Sequence, residues 1–135
     1  KLFNFMIKKN SEIGTLASEI KDSDELDNKN IVKVITKEKL EKNNFVTALN
    51  FSRENLSKKE DNIYHHIGVY CYKTTTLKKF VNLKQTQNEV KNRLEQLRAM
   101  DNHIKINVAL ANSSPIGIDT EEDYLALKKI MEYKL

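Results

Sequence analysis

Tryptophan is absent from this 135-residue chain, proline occurs once and glycine three times. So little proline and glycine argues against a disordered or low-complexity chain. No apolar run approaches the roughly 18 to 20 residues that a membrane helix needs, so no membrane partner is expected. No stretch joins a basic start, an apolar centre and a small-residue cleavage site, so no secretion signal is expected. The chain opens on Lys1 rather than Met, and its start need not be the start of translation. Cys71 is the single cysteine. Stapling by a disulfide within the chain is therefore excluded, which suits a reducing, cytoplasmic location. A strong charge of one sign is also missing: 23 Lys and Arg stand against 19 Asp and Glu, a net +4 with a pI near 9.0. The excess is mostly lysine, scattered as IKK, KEKLEK, SKKE and LKK. Nucleic-acid faces more often gather arginine and aromatic residues. A solvated lysine surface is the plain reading, so no nucleic-acid partner is expected; nucleic acid or an anionic nucleotide is the alternative.

What is present fits one modest domain over residues 1–135, with 39% hydrophobic and 31% charged residues. GTLASEI, residues 14–20, predicts a short strand. KDSDELDNKN, residues 21–30, predicts a polar loop. Its Asp22, Asp24 and Asp27 suggest a calcium loop, but counting from Asp22 the sixth and twelfth places hold Asp27 and Lys33 where that loop needs Gly and Glu. IVKVITKEK (31–39), NNFVTALNFSR (43–53) and YHHIGVYCYK (64–73) predict strands. TTTLKKFVN predicts a short helix opened by a threonine cap. TQNEVKNRLEQLRAMDN (86–102) predicts one helix with Val90, Leu94 and Leu97 on its apolar stripe. IKINVALA (104–111) predicts a strand, NSSPIGI a loop, and DTEEDYLALKKIMEYKL a closing helix, acidic first and lysine-bearing last as the helix dipole favours. Alternating strands and helices point to a layered α/β sheet with helices on it.

Some residues do not fit packing alone. His65 and His66 open a strand otherwise apolar on both faces. Side-chain alternation sends Ile67, Val69 and Cys71 one way and His66, Gly68, Tyr70 and Tyr72 the other. The glycine leaves room for something to approach the backbone. Both histidines also read as strand-end residues bonded to a loop. Ligands of open α/β sheets bind beyond the carboxyl ends of parallel strands, while His66 lies at an amino end. His66 can therefore join such a site only if its strand runs antiparallel in a mixed sheet. Arg53 follows an apolar strand. It reads as a solvated charge or as a bidentate clamp for carboxylate or phosphate. Glu95, Gln96 and Arg98 border the apolar side of the long helix, as an exposed charge-laced face or as a polar rim. Asp119 precedes the closing helix with Glu122 three residues on, as a capping box or as a ligand to a divalent cation.

In order, NIVKV, ALNFSR, HHIGVYCYK, LKKFVN, LEQLR and GIDTEED resemble the carboxyl-terminal half of the 3-deoxy-manno-octulosonate cytidylyltransferase (CMP-KDO synthetase) family, from about Gly14 onward. LEQLR following HIGVY at this spacing is the specific part. The resemblance implies part of a three-layer α/β sandwich with a mixed sheet, of nucleotide-diphospho-sugar transferase type. It implies a cytoplasmic, homodimeric, Mg²⁺-dependent enzyme of lipopolysaccharide synthesis. Such an enzyme joins the anomeric hydroxyl of the sugar acid KDO to the α-phosphate of CTP, giving CMP-KDO and pyrophosphate. By the same resemblance Arg53 pairs with the sugar carboxylate, His66 hydrogen-bonds the sugar, Glu95 and Gln96 hold its hydroxyls with Arg98 as support, and Asp119 binds Mg²⁺. The family's arginine- and lysine-rich phosphate loop and its GDEP motif do not occur in this sequence. The alternative expectation is a non-catalytic truncated fragment that keeps only the sugar-side or dimerisation surface.

Overall fold

The computed structural model describes residues 1–112 and 117–133. Helix α1 (Leu2–Lys9) leads into strand β1 (Ile13–Ser18), a short helix α2 (Ser23–Asp27) and strands β2 (Lys33–Thr36), β3 (Val46–Ser52) and β4 (Ile63–Tyr72). Three short helices follow, α3 (Thr74–Phe80), α4 (Gln87–Asn92) and α5 (Gln96–Asp101), then β5 (Ile106–Leu110) and α6 (Glu121–Glu132). Residues 113–116 of the expected NSSPIGI loop and the last two of the expected closing helix lie outside the described residues.

The sheet is mixed, as expected. β1 runs parallel to β5 and antiparallel to β4; β4 is also antiparallel to β2, and β3 is antiparallel to β2 and β5. The sheet curls so far that its pairings close into a ring in the order β1-β4-β2-β3-β5. The β3–β5 seam is short, with Val46 opposite Val108 and Thr47 opposite Asn107.

Helices cover both faces. The main core joins Ile13, Ala17, Val34, Phe51, Ile106 and Val108 from the strands to Phe80 of α3, Leu94, and Leu97 and Ala99 of α5. A second cluster of Met6, Phe45 and Ala109, with Leu2, Phe5, Leu16 and Cys71 against it, seats α1 on the other side. Gly14 makes this close approach possible: a Cβ there would lie 2.5 Å from Met6 Sδ and 2.8 Å from Phe45 Cζ. Helix α1 was not anticipated, because LFNFMIKK sits ahead of any cap signal. Its lysines Lys8 and Lys9 fall in the last turn, and Asn10 ends it in the left-handed region at φ 48°.

Four expectations on local structure are corrected. The loop 21–30 contains α2, capped by the Asp22 carboxylate accepting from Asp24 N–H. Helix α3 has Lys73 at its N-cap with no side-chain cap bond, so no threonine caps it. The helix expected over 86–102 is two helices, broken at Arg93 with φ 54°. The break has a physical cause. Arg98 donates to the Glu89 carboxylate at 2.8 Å, and in one straight helix nine residues would separate them by about 13 Å along the axis. Folding back also takes Val90 off the apolar stripe: it is 59% exposed, while Leu94 and Leu97 are buried. Finally, β4 bulges. Leu16 pairs with Ile67 but Thr15 with Tyr70, so Gly68 and Val69 stand out of the ladder and are exposed. Two extra residues preserve the alternation beyond them, so Tyr70 and Tyr72 still face the core side with His66.

Candidate functional site

The strand directions bring two of the expected site residues, His66 and Arg53, to one end of the sheet. β1 and β5 are parallel, and the carboxyl end of that pair meets the amino end of β4: Ala17 pairs with both Leu110 and His66. Because β4 is antiparallel to both neighbours, His66 reaches the end where ligands of α/β sheets bind. Arg53 arrives there too. It follows Ser52, which pairs with Lys33, and Lys33 pairs with His65.

His66 is 8% exposed. Its Nε2 lies 2.9 Å from Thr15 Oγ1, which is itself 2.8 Å from the Val69 carbonyl oxygen and 3.2 Å from that of Ile67. A hydroxyl has one hydrogen. Donated to the Val69 carbonyl, it leaves the Thr15 oxygen to accept Nε2–H of His66. This network assigns the tautomer and leaves Nδ1 with its lone pair. The same threonine pins the bulge by donating to the Val69 carbonyl just past Gly68. Around the ring, Phe51 packs edge-on at 5.0 Å between centroids and Tyr70 lies at 5.5 Å. Burial, with a smaller push from His65, depresses the His66 pKa to about 4, so the imidazole is neutral at physiological pH. A Cβ added at Gly68 would meet no atom within 4 Å, so the backbone there is open to approach.

Arg53 donates through Nη1 to the Lys29 carbonyl at 3.2 Å and through Nη2 to the Arg93 carbonyl at 3.4 Å. Both contacts are exposed and long. The second ties the end of β3 to the α4–α5 junction, where Glu95 and Gln96 stand. Glu95 is largely exposed, and its carboxylate lies 4.0 Å from Arg98 Nη2. Its negative charge also helps raise the hydroxyl pKa values of Tyr70 and Tyr72, behind the larger effect of their burial. Gln96 opens α5 and is half-buried. A run of neighbours therefore leads from Arg53 through the Arg93 carbonyl to Glu95, Tyr70 and His66.

Arg98 sits beneath this rim. It forms a two-bond ion pair with Glu89 and lies over the Phe80 ring at 5.1 Å. The hydrogen bond from Arg98 holds the Glu89 carboxyl below the usual carboxylate range. Glu89 also closes the Thr86 capping box. Its signal, Thr-x-x-Glu in TQNE, stood in the sequence and was not read as a cap. Thr15 and Lys33 were missed as well. Neither carries a motif, and each matters through a partner distant in sequence.

Asp119 is exposed, in the segment that follows the carboxyl end of β5. It is not the helix cap. Thr120 caps α6, accepting from Asp123 N–H, and the capping box is Thr120 with Asp123 rather than Asp119 with Glu122. The one-residue shift follows from Asp123 accepting from both Asp119 and Thr120 N–H. Among the described residues no group of three or more His, Cys, Asp or Glu could hold a metal by itself. Mg²⁺ commonly takes one or two carboxylates and completes its shell with phosphate oxygens and water. The Asp119 carboxylate fits as one contributing ligand of that kind. Two hollows of about 260 and 270 Å³ lie away from this rim, one between α1 and Cys71–Tyr72, the other around Glu12, Lys105 and Asn107. The second marks the amino end of the parallel pair, opposite the end at which α/β sheets bind ligands.

The family model described as cytidylyltransferase matches residues 3–106. A 3-deoxy-manno-octulosonate cytidylyltransferase of Bartonella bacilliformis is 38% identical, over 93% of this chain and 51% of that protein. One of Thermodesulfovibrio yellowstonii is 39% identical, over 97% and 53%. Among solved structures, a CMP:2-keto-3-deoxy-manno-octonic acid synthetase complexed with CTP matches with a TM-score of 0.82 at 25% identity, over 99% of this chain and 55% of that one. The chain spans about half the length of the curated relatives it matches.

Proposed function

Because the chain belongs to the cytidylyltransferase family, we propose that it supplies the sugar-acid side of an enzyme that transfers CMP from CTP to KDO. The products are CMP-KDO, destined for lipopolysaccharide synthesis, and pyrophosphate. The observation that carries this reading is the placing of Arg53 and neutral His66 at the carboxyl end of the β1–β5 pair, with Arg53 tied through the Arg93 carbonyl to the turn ahead of Glu95 and Gln96. The chemistry suits a hydroxylated carboxylic acid. The Arg53 guanidinium offers two parallel donors to the carboxylate. His66 offers a neutral nitrogen that accepts from a sugar hydroxyl, and Glu95 and Gln96 accept or donate to others. Gly68 lets the substrate lie against the backbone. Nucleotidyl transfer demands mainly that the attacking hydroxyl be held in line with the α-phosphate. Mg²⁺ belongs to the reading, with Asp119 as one ligand, and would neutralise phosphate charge.

A homodimer and a cytoplasmic location complete the proposal. Calorimetric titration with KDO, alone and with CTP and Mg²⁺, together with pyrophosphate release, tests it. KDO binding that Arg53→Ala abolishes is expected. No binding of KDO by the folded chain refutes it. The half-length match to the relatives favours one second reading, a non-catalytic fragment; KDO binding with no pyrophosphate release is its signature.

A further inference from the structure

Lys33 is 1% exposed, the most completely buried charged residue described. It stands in the run IVKVIT, and a lysine ordinarily keeps its ammonium in water. Instead its ammonium donates to the Arg53 carbonyl at 2.7 Å and to the Asn28 carbonyl at 2.8 Å. Around it the segment after α2 and the end of β3 are stitched together. Arg53 donates to the Lys29 carbonyl, Asn55 donates to the Asp27 carboxylate at 2.7 Å, and Lys29 pairs with Glu54 at 3.1 Å. Glu54, Asp27, Arg53 and His65 are the charged and titratable groups that feel Lys33. Burial lowers the Lys33 pKa, and the two carboxylates work against that.

We propose that Lys33 is a positioning residue for Arg53, a buried cation that clamps the main chain of the carboxylate-recognising arginine. The clamp rests on the proposed function for its purpose and on geometry for its existence. Arg53 lies just past the last β3 residue, where the ladder no longer holds it. Its side-chain contacts, at 3.2 and 3.4 Å, are too long to fix it. The short bond from Lys33 is its one tight anchor among the described contacts, and an apolar side chain at 33 would leave two carbonyls without that donor. The carbonyl is anchored on one side, while the guanidinium, held on the other only by two long exposed contacts, can exchange them for a substrate.

The chain's arginines, Arg53, Arg93 and Arg98, make the clamp measurable without turnover. Phenylglyoxal modification is followed residue by residue by mass spectrometry in wild type, Lys33→Met and Lys33→Arg. Arg98, tied to buried Glu89, reports on the fold, and Arg93 reports on exposed reactivity. Local release predicts that Arg53 modification rises about three- to tenfold in Lys33→Met while Arg98 stays protected. Lys33→Arg, which keeps the charge and the donors, restores the wild-type rate. In an active enzyme the same Lys33→Met change raises KM for KDO about tenfold, with kcat and the KM for CTP nearly unchanged. If Lys33→Met does not fold, Lys33→Gln replaces it, because its shorter amide stops short of the Arg53 carbonyl. Unchanged Arg53 reactivity in a folded variant overturns the proposal, as does a joint rise at Arg53 and Arg98. An absence of KDO turnover counts against the proposed function and leaves the modification readout intact.

Discussion

Acidification should destabilise the fold through His66, and the size of the effect can be worked out. The imidazole is buried against Phe51 and Tyr70, and its pKa falls from 6.5 to about 4. In the unfolded chain it returns to about 6.5. Between those values the unfolded state binds a proton that the native state refuses, so stability rises with pH in that window. The contribution is complete above about pH 6.5 and is lost as pH falls toward 4. At about 1.36 kcal/mol per unit the full loss is about 3 kcal/mol, of which about 2 kcal/mol is felt by pH 5. The assay is urea denaturation of wild type and His66→Gln at pH 7.5 and pH 5. His65 shifts in the same direction for a similar reason, so the difference between the two proteins isolates His66. His66→Gln should be the less stable protein at pH 7.5, having lost ring packing, and the gap should close or reverse by pH 5. An unchanged gap would refute the neutral, buried imidazole and with it the assigned tautomer.

Other outcomes follow from the same geometry. Arg93→Gly should raise stability by about 1 kcal/mol, because a left-handed residue with a Cβ is strained and glycine is not; a thermal melt reads it. Gly14→Ala should cost about 1–3 kcal/mol, since the new methyl overlaps Met6 and Phe45. Leu97→Ala should cost about 2–5 kcal/mol through a core cavity, and denaturation curves test both. Asp119→Ala should leave the far-ultraviolet circular dichroism unchanged, because Thr120 and not Asp119 caps α6. In an active enzyme the same change should abolish Mg²⁺-dependent turnover; retained turnover would remove Asp119 from the metal site.

Several features of this protein were determined by sequence alone. The strands come from β-branched alternating runs such as IVKVIT and VTALNF, whose period admits little else. The need for a mixed sheet came from one residue: a histidine at the amino end of a strand serves a ligand site only if that strand is reversed. The order ALNFSR, HHIGVYCYK, LEQLR was enough to indicate the cytidylyltransferase family. Tertiary structure alone decided what depends on partners far along the chain. Glu89 and Arg98 pair only if the helix between them breaks, so a local periodicity that fits one helix is overruled by a buried ion pair. Lys33 looks solvated in its own strand, and only the segments folded over it turn it into a buried clamp. His66 is neutral because Phe51, Tyr70 and Thr15 surround it, and two of those three arrive from other strands. Sequence period reports which face a side chain takes, whereas burial and charge state depend on what the rest of the chain brings to that face.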